Sequence, residues 1–125
     1  MILDTNVLSA LAEGDVKAAR KLEEVPYVAV PVVVLGEYRF GIARSRRRRE
    51  YEEWLKELLA LARVLVVSEE TAVCYARLRV ELKEAGTPIP SNDVWIAAIC
   101  RQHGLPLLSR DRHFDQVKGL DRMEW

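Results

Sequence analysis

Aspartate is scarce in this chain, six among 125 residues, and three of the six stand at places a fold can gather. Asp4 follows directly on the opening apolar run, and Asp111 comes two residues after Leu107-Leu108-Ser109. Asp93 falls in the first turn of a helix beginning at Ser91, where the helix dipole favours a negative group. A fourth carboxylate, Glu37, is set among Val33, Val34, Leu35, Tyr38 and Phe40, poor company for a charge on an ordinary surface helix. Several ionised carboxylates within ~6 Å repel one another, which raises their pKa values or calls for a cation. All-oxygen ligation selects Mg²⁺ or Mn²⁺ over zinc. Such an ion lowers the pKa of a bound water and clamps phosphate oxygens during in-line displacement, so the set suits phosphodiester hydrolysis. Each residue also has a plain structural reading: a turn or N-cap for Asp4, a helix stabiliser for Asp93, a loop residue for Asp111. The chemistry depends on all four meeting.

Bringing residues 4, 37, 93 and 111 together requires a scaffold of short strands and longer helices. Met1 to Leu3 is a brief apolar run, and a first helix follows from Thr5, ending near Glu13 and Gly14. Asp15 can cap a second helix carrying Val16, Ala19 and Leu22 on one face. Tyr27 to Val30 reads as a strand, and Pro31 suits the first turn of a helix running from Val32 to Ala43. From Arg46 to Ala62 the apolar residues Tyr51, Trp54, Leu55, Leu58 and Leu59 recur every three to four positions. Arg46/Glu50, Arg48/Glu52 and Arg49/Glu53 are spaced to pair along that helix. Val64 to Val67 reads as a second buried-type strand. Helices over 69–85 and 91–103 follow, closed by Gly86 and Gly104. Residues 106–109 read as a strand, and 122–125 as a last edge strand. Short, apolar strands separated by helices imply an α/β sandwich whose parallel sheet is covered on both faces. Ligands bind such sheets at the carboxyl ends of the strands, where Asp4 and Asp111 fall.

Composition narrows the class further. With 50% hydrophobic and 30% charged residues the chain suits one globular domain over residues 1–125. No apolar run approaches the ~18 residues of a membrane span, and the N-terminus shows no signal-peptide pattern. Cys74 and Cys100 sit in apolar helical patterns without metal-ligand spacing, as free thiols of a reducing cytoplasm would. Zero net charge argues against bulk electrostatic coating of nucleic acid. A local basic patch is still present, at Arg44, Arg46, Arg47, Arg48 and Arg49. It has two readings, an RNA or partner contact and a solvated helix start.

Four segments then carry a resemblance: Ile2-Leu3-Asp4-Thr5-Asn6; Glu37 within Val-Leu-Gly-Glu-Tyr-Arg-Phe-Gly; Ser91-Asn92-Asp93 with Ile96-Ala97-Ala98; and Leu107-Leu108-Ser109-Arg110-Asp111-Arg112-His113-Phe114. In order, spacing and total length the chain resembles a PIN-domain ribonuclease, most closely a VapC-type toxin of a toxin–antitoxin pair. The resemblance implies a PIN-like three-layer α/β/α sandwich with a short, mainly parallel sheet. It implies a Mg²⁺- or Mn²⁺-dependent endoribonuclease, an RNA substrate, a cognate antitoxin, and a homodimer. Asp4, Glu37, Asp93 and Asp111 take the family's acidic positions as catalytic and metal-holding residues. Thr5, Asn6 and Ser109 match its supporting polar positions, and Asp115 is an extra carboxylate with a structural or auxiliary role.

Two other functions fit parts of the pattern. A receiver-type phosphoacceptor domain expects an acidic pair after the first strand and a Lys after the last core strand; here Thr5-Asn6 and Arg110 stand instead. A non-catalytic module whose acidic rim holds a metal or a basic peptide is the second. His113 lies close to Asp111 in sequence, and a general-acid role for it is a minor reading beside the carboxylate set.

Overall fold

An Ile-Leu pair with no polar alternation has both faces to bury, and a parallel sheet covered on two sides offers that place. In the computed structural model, which describes residues 1–125, β1 (Ile2–Leu3) is fully buried at the centre of a five-stranded sheet. The other strands are β2 (Ala29–Pro31), β3 (Arg63–Leu65), β4 (Leu107–Leu108) and β5 (Arg122–Met123). Their order is β3-β2-β1-β4-β5, and every pairing is parallel. Six helices surround them: α1 (Thr5–Ala12), α2 (Val16–Glu23), α3 (Val32–Ile42), α4 (Arg48–Leu61), α5 (Glu69–Glu84) and α6 (Ser91–His103). A short 3₁₀ turn, Arg112–Gln116, follows β4. The architecture is the three-layer α/β/α sandwich expected.

Local chemistry sets several helix ends. The Asp15 carboxylate accepts from Ala18 N–H (3.0 Å) at the start of α2, and Ser68 and Thr71 form a capping box on α5. Gly104 closes α6 at φ 63°, a left-handed conformation glycine adopts without a Cβ penalty. One cluster of 25 buried residues, including Leu8, Val30, Leu55, Leu78, Ile99 and Phe114, joins sheet and helices.

Several expectations need correction. Residues 64–67 are not a buried strand: β3 lies at the sheet edge, with Val64 and Val66 at 44% and 62% exposure and the Arg63 guanidinium over the Tyr27 ring. A run of Val and Leu carries no information on whether a strand is central or marginal. On α2 the buried face runs through Ala18 rather than Val16 and Ala19. Helix α4 starts at Arg48, and the Arg46/Glu50, Arg48/Glu52 and Arg49/Glu53 pairs do not form. Arg47 bridges Glu50 and Glu13 instead, and Glu52 pairs with Arg39 of α3. The cysteines are free, and burial pushes the Cys100 thiol up to about 12.

Candidate active site

In a parallel sheet the chain leaves each strand at one rim, and helices that return begin at that same rim. The order reverses between β1 and β4, from which the chain departs to opposite sides, and the crevice at such a switch point is where ligands sit. Asp4 caps β1 there, and Ser109 and Asp111 follow β4. Helix α3 springs directly from β2 and presents Glu37 from its second turn, while α6 presents Asp93 from its first.

Asp4 is 5% exposed and fully engaged by the chain. Its Oδ1 accepts from Thr5 N–H (2.7 Å), making it the N-cap of α1. Its Oδ2 accepts from Ser109 Oγ–H (2.6 Å) and Asn6 Nδ2–H (3.2 Å). The buried Ser109 Oγ in turn accepts from Asn6 Nδ2–H (3.2 Å) and Asp111 N–H (2.9 Å), and Asn6 Oδ1 accepts from Arg110 N–H (3.4 Å). One hydroxyl thus locks the loop after β4 to the carboxylate after β1. Of the supporting residues expected, Asn6 and Ser109 occupy this network, whereas the Thr5 hydroxyl is buried with no partner.

Electrostatics tie the four acids together. Burial pushes the Asp4 carboxyl up, the hydrogen bonds from Ser109 and Thr5 pull it back, and Asp111 raises it further. Burial likewise raises Glu37, with added repulsion from Asp4 and then Asp93. Asp93 is raised by burial, partly relieved by its bond with His113, and raised again by Asp111 and Asp4. Glu37 Oε1 is buried and has no hydrogen-bond partner at all. A buried carboxylate oxygen without a donor is costly, and a nearby cation would offset that cost along with the repulsion among the acids.

His113 is the residue sequence reasoning undervalued. Its Nδ1 lies 3.1 Å from Asp93 Oδ2 and 3.2 Å from Asp111 Oδ1, and the three form an acidic-imidazole group whose ligand atoms lie within 4.8 Å of one another. Its backbone N–H also donates to Asp111 Oδ1 (2.9 Å), which is the turn chemistry that aims the ring. The Asp-x-His spacing was the available signal. Asp115 is not part of the cluster. Both its oxygens take hydrogen bonds from Arg122 (2.6 and 3.0 Å), whose Nη1 also donates to the Ser109 carbonyl (2.9 Å). Its role is to brace β5 against the loop that carries Ser109. The Arg44–Arg49 segment lies past the C-terminal end of α3, which is five residues and so about 7.5 Å of helix rise beyond Glu37.

A family model described as PIN domain matches residues 1–120. Ribonuclease VapC5 of Mycobacterium tuberculosis is 34% identical to this chain over 128 residues, covering 98% of the chain and 91% of the relative. Among solved structures, VapBC2 from Rickettsia felis, bound to a DNA fragment from their promoter, is similar in fold. It superposes with a TM-score of 0.90 at 23% identity, covering 99% of this chain and 97% of that one. VapBC-5 from Mycobacterium tuberculosis, a member of the VapBC family of toxin-antitoxin systems, matches with a TM-score of 0.75 at 27% identity, over 99% and 97% of the two chains. No helix here is long and apolar enough to cross a membrane.

Proposed function

The chain belongs to the PIN domain family, and from that membership we propose that it is a metal-dependent endoribonuclease, the toxin of a toxin–antitoxin pair. We read it as a single domain over residues 1–125, acting in the cytoplasm with Mg²⁺ or Mn²⁺. The observation that carries the reading is the partly buried acidic cluster, in which three carboxyl groups are raised and Glu37 Oε1 lacks a donor. A predominantly oxygen donor set fits a hard divalent cation.

Asp4, Glu37, Asp93 and Asp111 are the residues that would hold the ion. When bound, it activates water and neutralises charge developing on the phosphate. The chain's own part is positional. Ser109 and Asn6 hold Asp4 in one orientation, as hydrogen-bonded supports of ligating carboxylates do. His113 Nδ1 stands within hydrogen-bonding distance of both Asp93 and Asp111 and so bridges the two carboxylates. Water and a single-stranded backbone have access, since Asp111 and His113 are 33% and 55% exposed. An antitoxin partner and a homodimer both need apolar surface, and Phe40 and Leu61 offer it at 86% and 85% exposure.

Incubation of the purified protein with a mixed RNA pool tests the assignment. Cleavage should require Mg²⁺ or Mn²⁺, stop with EDTA, and vanish in Asp93→Asn. Equal cutting with EDTA present removes the metal from the mechanism, and metal binding without any cutting favours the non-catalytic module.

A further inference from the structure

A trough opens beside the carboxylate cluster, lined in part by residues that the chemistry above leaves unused. It lies between the loop Gly86–Ile89, joining α5 to α6, and the turn Arg112–Gln116, with a volume of about 520 Å³. That is within the roughly 300–1,000 Å³ that small-molecule sites occupy. Asp111 and His113 form one wall, so the trough runs directly into the cluster. The other lining groups are polar except for Ile89 and the prolyl ring of Pro88: the Thr87 hydroxyl, the Arg112 guanidinium and the Gln116 amide. Arg112 forms no ion pair; Asp115, three residues on, is held by Arg122 instead.

Pro88 and Ile89 also border a second trough of about 420 Å³, whose lining includes Arg79 and Lys83. The α5–α6 loop is therefore flanked by three cations, and Asp111 is the one acid lining either trough. In a chain of zero net charge this is a local bias. It suits a polyanion whose backbone rests on cations while one linkage reaches the acids. The Arg44–Arg49 segment, at the far end of α3, has no such continuity with the cluster.

We propose that the trough between the α5–α6 loop and the Arg112–Gln116 turn seats the nucleotide adjoining the scissile bond, with Arg112 on its phosphate and Gln116 on its base edge. This deepens the ribonuclease reading and rests on it. Arginine pairs with phosphate oxygens through two N–H groups, and an amide can both donate to and accept from a base.

The test uses the full-length wild type, Arg112→Ala, Arg112→Lys and Gln116→Ala on a random-sequence single-stranded RNA pool, with sequencing of the cut ends, and kinetics on a preferred oligonucleotide. Arg112→Ala should raise KM about tenfold, the worth of one charged contact, with kcat within about twofold. Its plot of log affinity against log salt should be shallower by about 0.7, one phosphate contact on a single strand, and Arg112→Lys should restore that slope. Gln116→Ala should flatten base preference at a single position beside the cut. Wild-type KM, salt slope and base profile in both alanine variants overturn the inference and leave the ribonuclease reading standing. A fall in kcat at unchanged KM, or an effect on partner-protein binding alone, also overturns it. A wild-type protein that cuts nothing in the pool takes down both.

Discussion

Replacing Asp4 by Asn separates the cost of a buried charge from the benefit of a bound ion. The amide oxygen can still accept from Thr5 N–H, so the α1 cap survives. On the other side an NH₂ group replaces Oδ2, where Ser109 and Asn6 both donate. That mismatch costs about 1–3 kcal/mol, the penalty of a buried polar group without its partner. The raised pKa of Asp4 says that burial, its largest cause, disfavours the charged form, so neutralisation offsets part of that cost. The metal-free variant should therefore lie within about 2 kcal/mol of wild type, a melting shift below about 10 °C. With the ion present the two diverge. Wild type should gain about 2.7 kcal/mol at an ion concentration 100 times Kd, and the variant far less. RNA cleavage should fall more than about 100-fold, beyond the loss seen when a mere support of a ligand is removed. Melting curves with and without MnCl₂, read beside a gel-based cleavage assay, decide the matter. A variant that keeps the metal-induced melting shift and cuts within a few-fold of wild type refutes the shared-cation argument.

Two further outcomes follow from the same geometry. Ser109→Ala removes the hydroxyl that serves Asp4, Asn6 and Asp111 together, so metal affinity by calorimetry should drop about 10–100-fold while the protein stays folded. In EDTA, Asp4, Glu37 and Asp93 are raised above 3.8, 4.5 and 3.8, so in the range above those values the native state binds more protons than the unfolded chain. Stability must then decline as pH rises through that window, and urea midpoints should be higher near pH 5 than at pH 7, a difference that saturating Mn²⁺ reverses. The acids lowered by surface pairing, such as Asp15 and Asp115, act below the window, where their stabilisation is lost on further acidification.

Much of this protein was legible in one dimension because the signals involved are local. The capping carboxylate Asp15, the terminal Gly104 and the apolar period of α4 concern residues a few positions apart, and those elements were found nearly to the residue. So was the placement of Asp4 and Asp111 just after strands and of Asp93 in a helix's first turn. Other features hinge on which strand pairs with which. β3 looked interior by composition and lies at the edge because nothing beyond Arg63–Leu65 pairs with it. Arg47, at the N-cap of α4, pairs with Glu13, and Glu52 pairs with Arg39, contacts between elements that no spacing rule contains. His113 stood two residues from Asp111 in plain sight. Its reach to Asp93, 20 residues away, became visible only once α6 and the turn after β4 met over the reversal in strand order. Local periodicity tells a segment what it is, but a charge's neighbours are set by chain crossings, and it is the neighbours that turn four acids and an imidazole into a site.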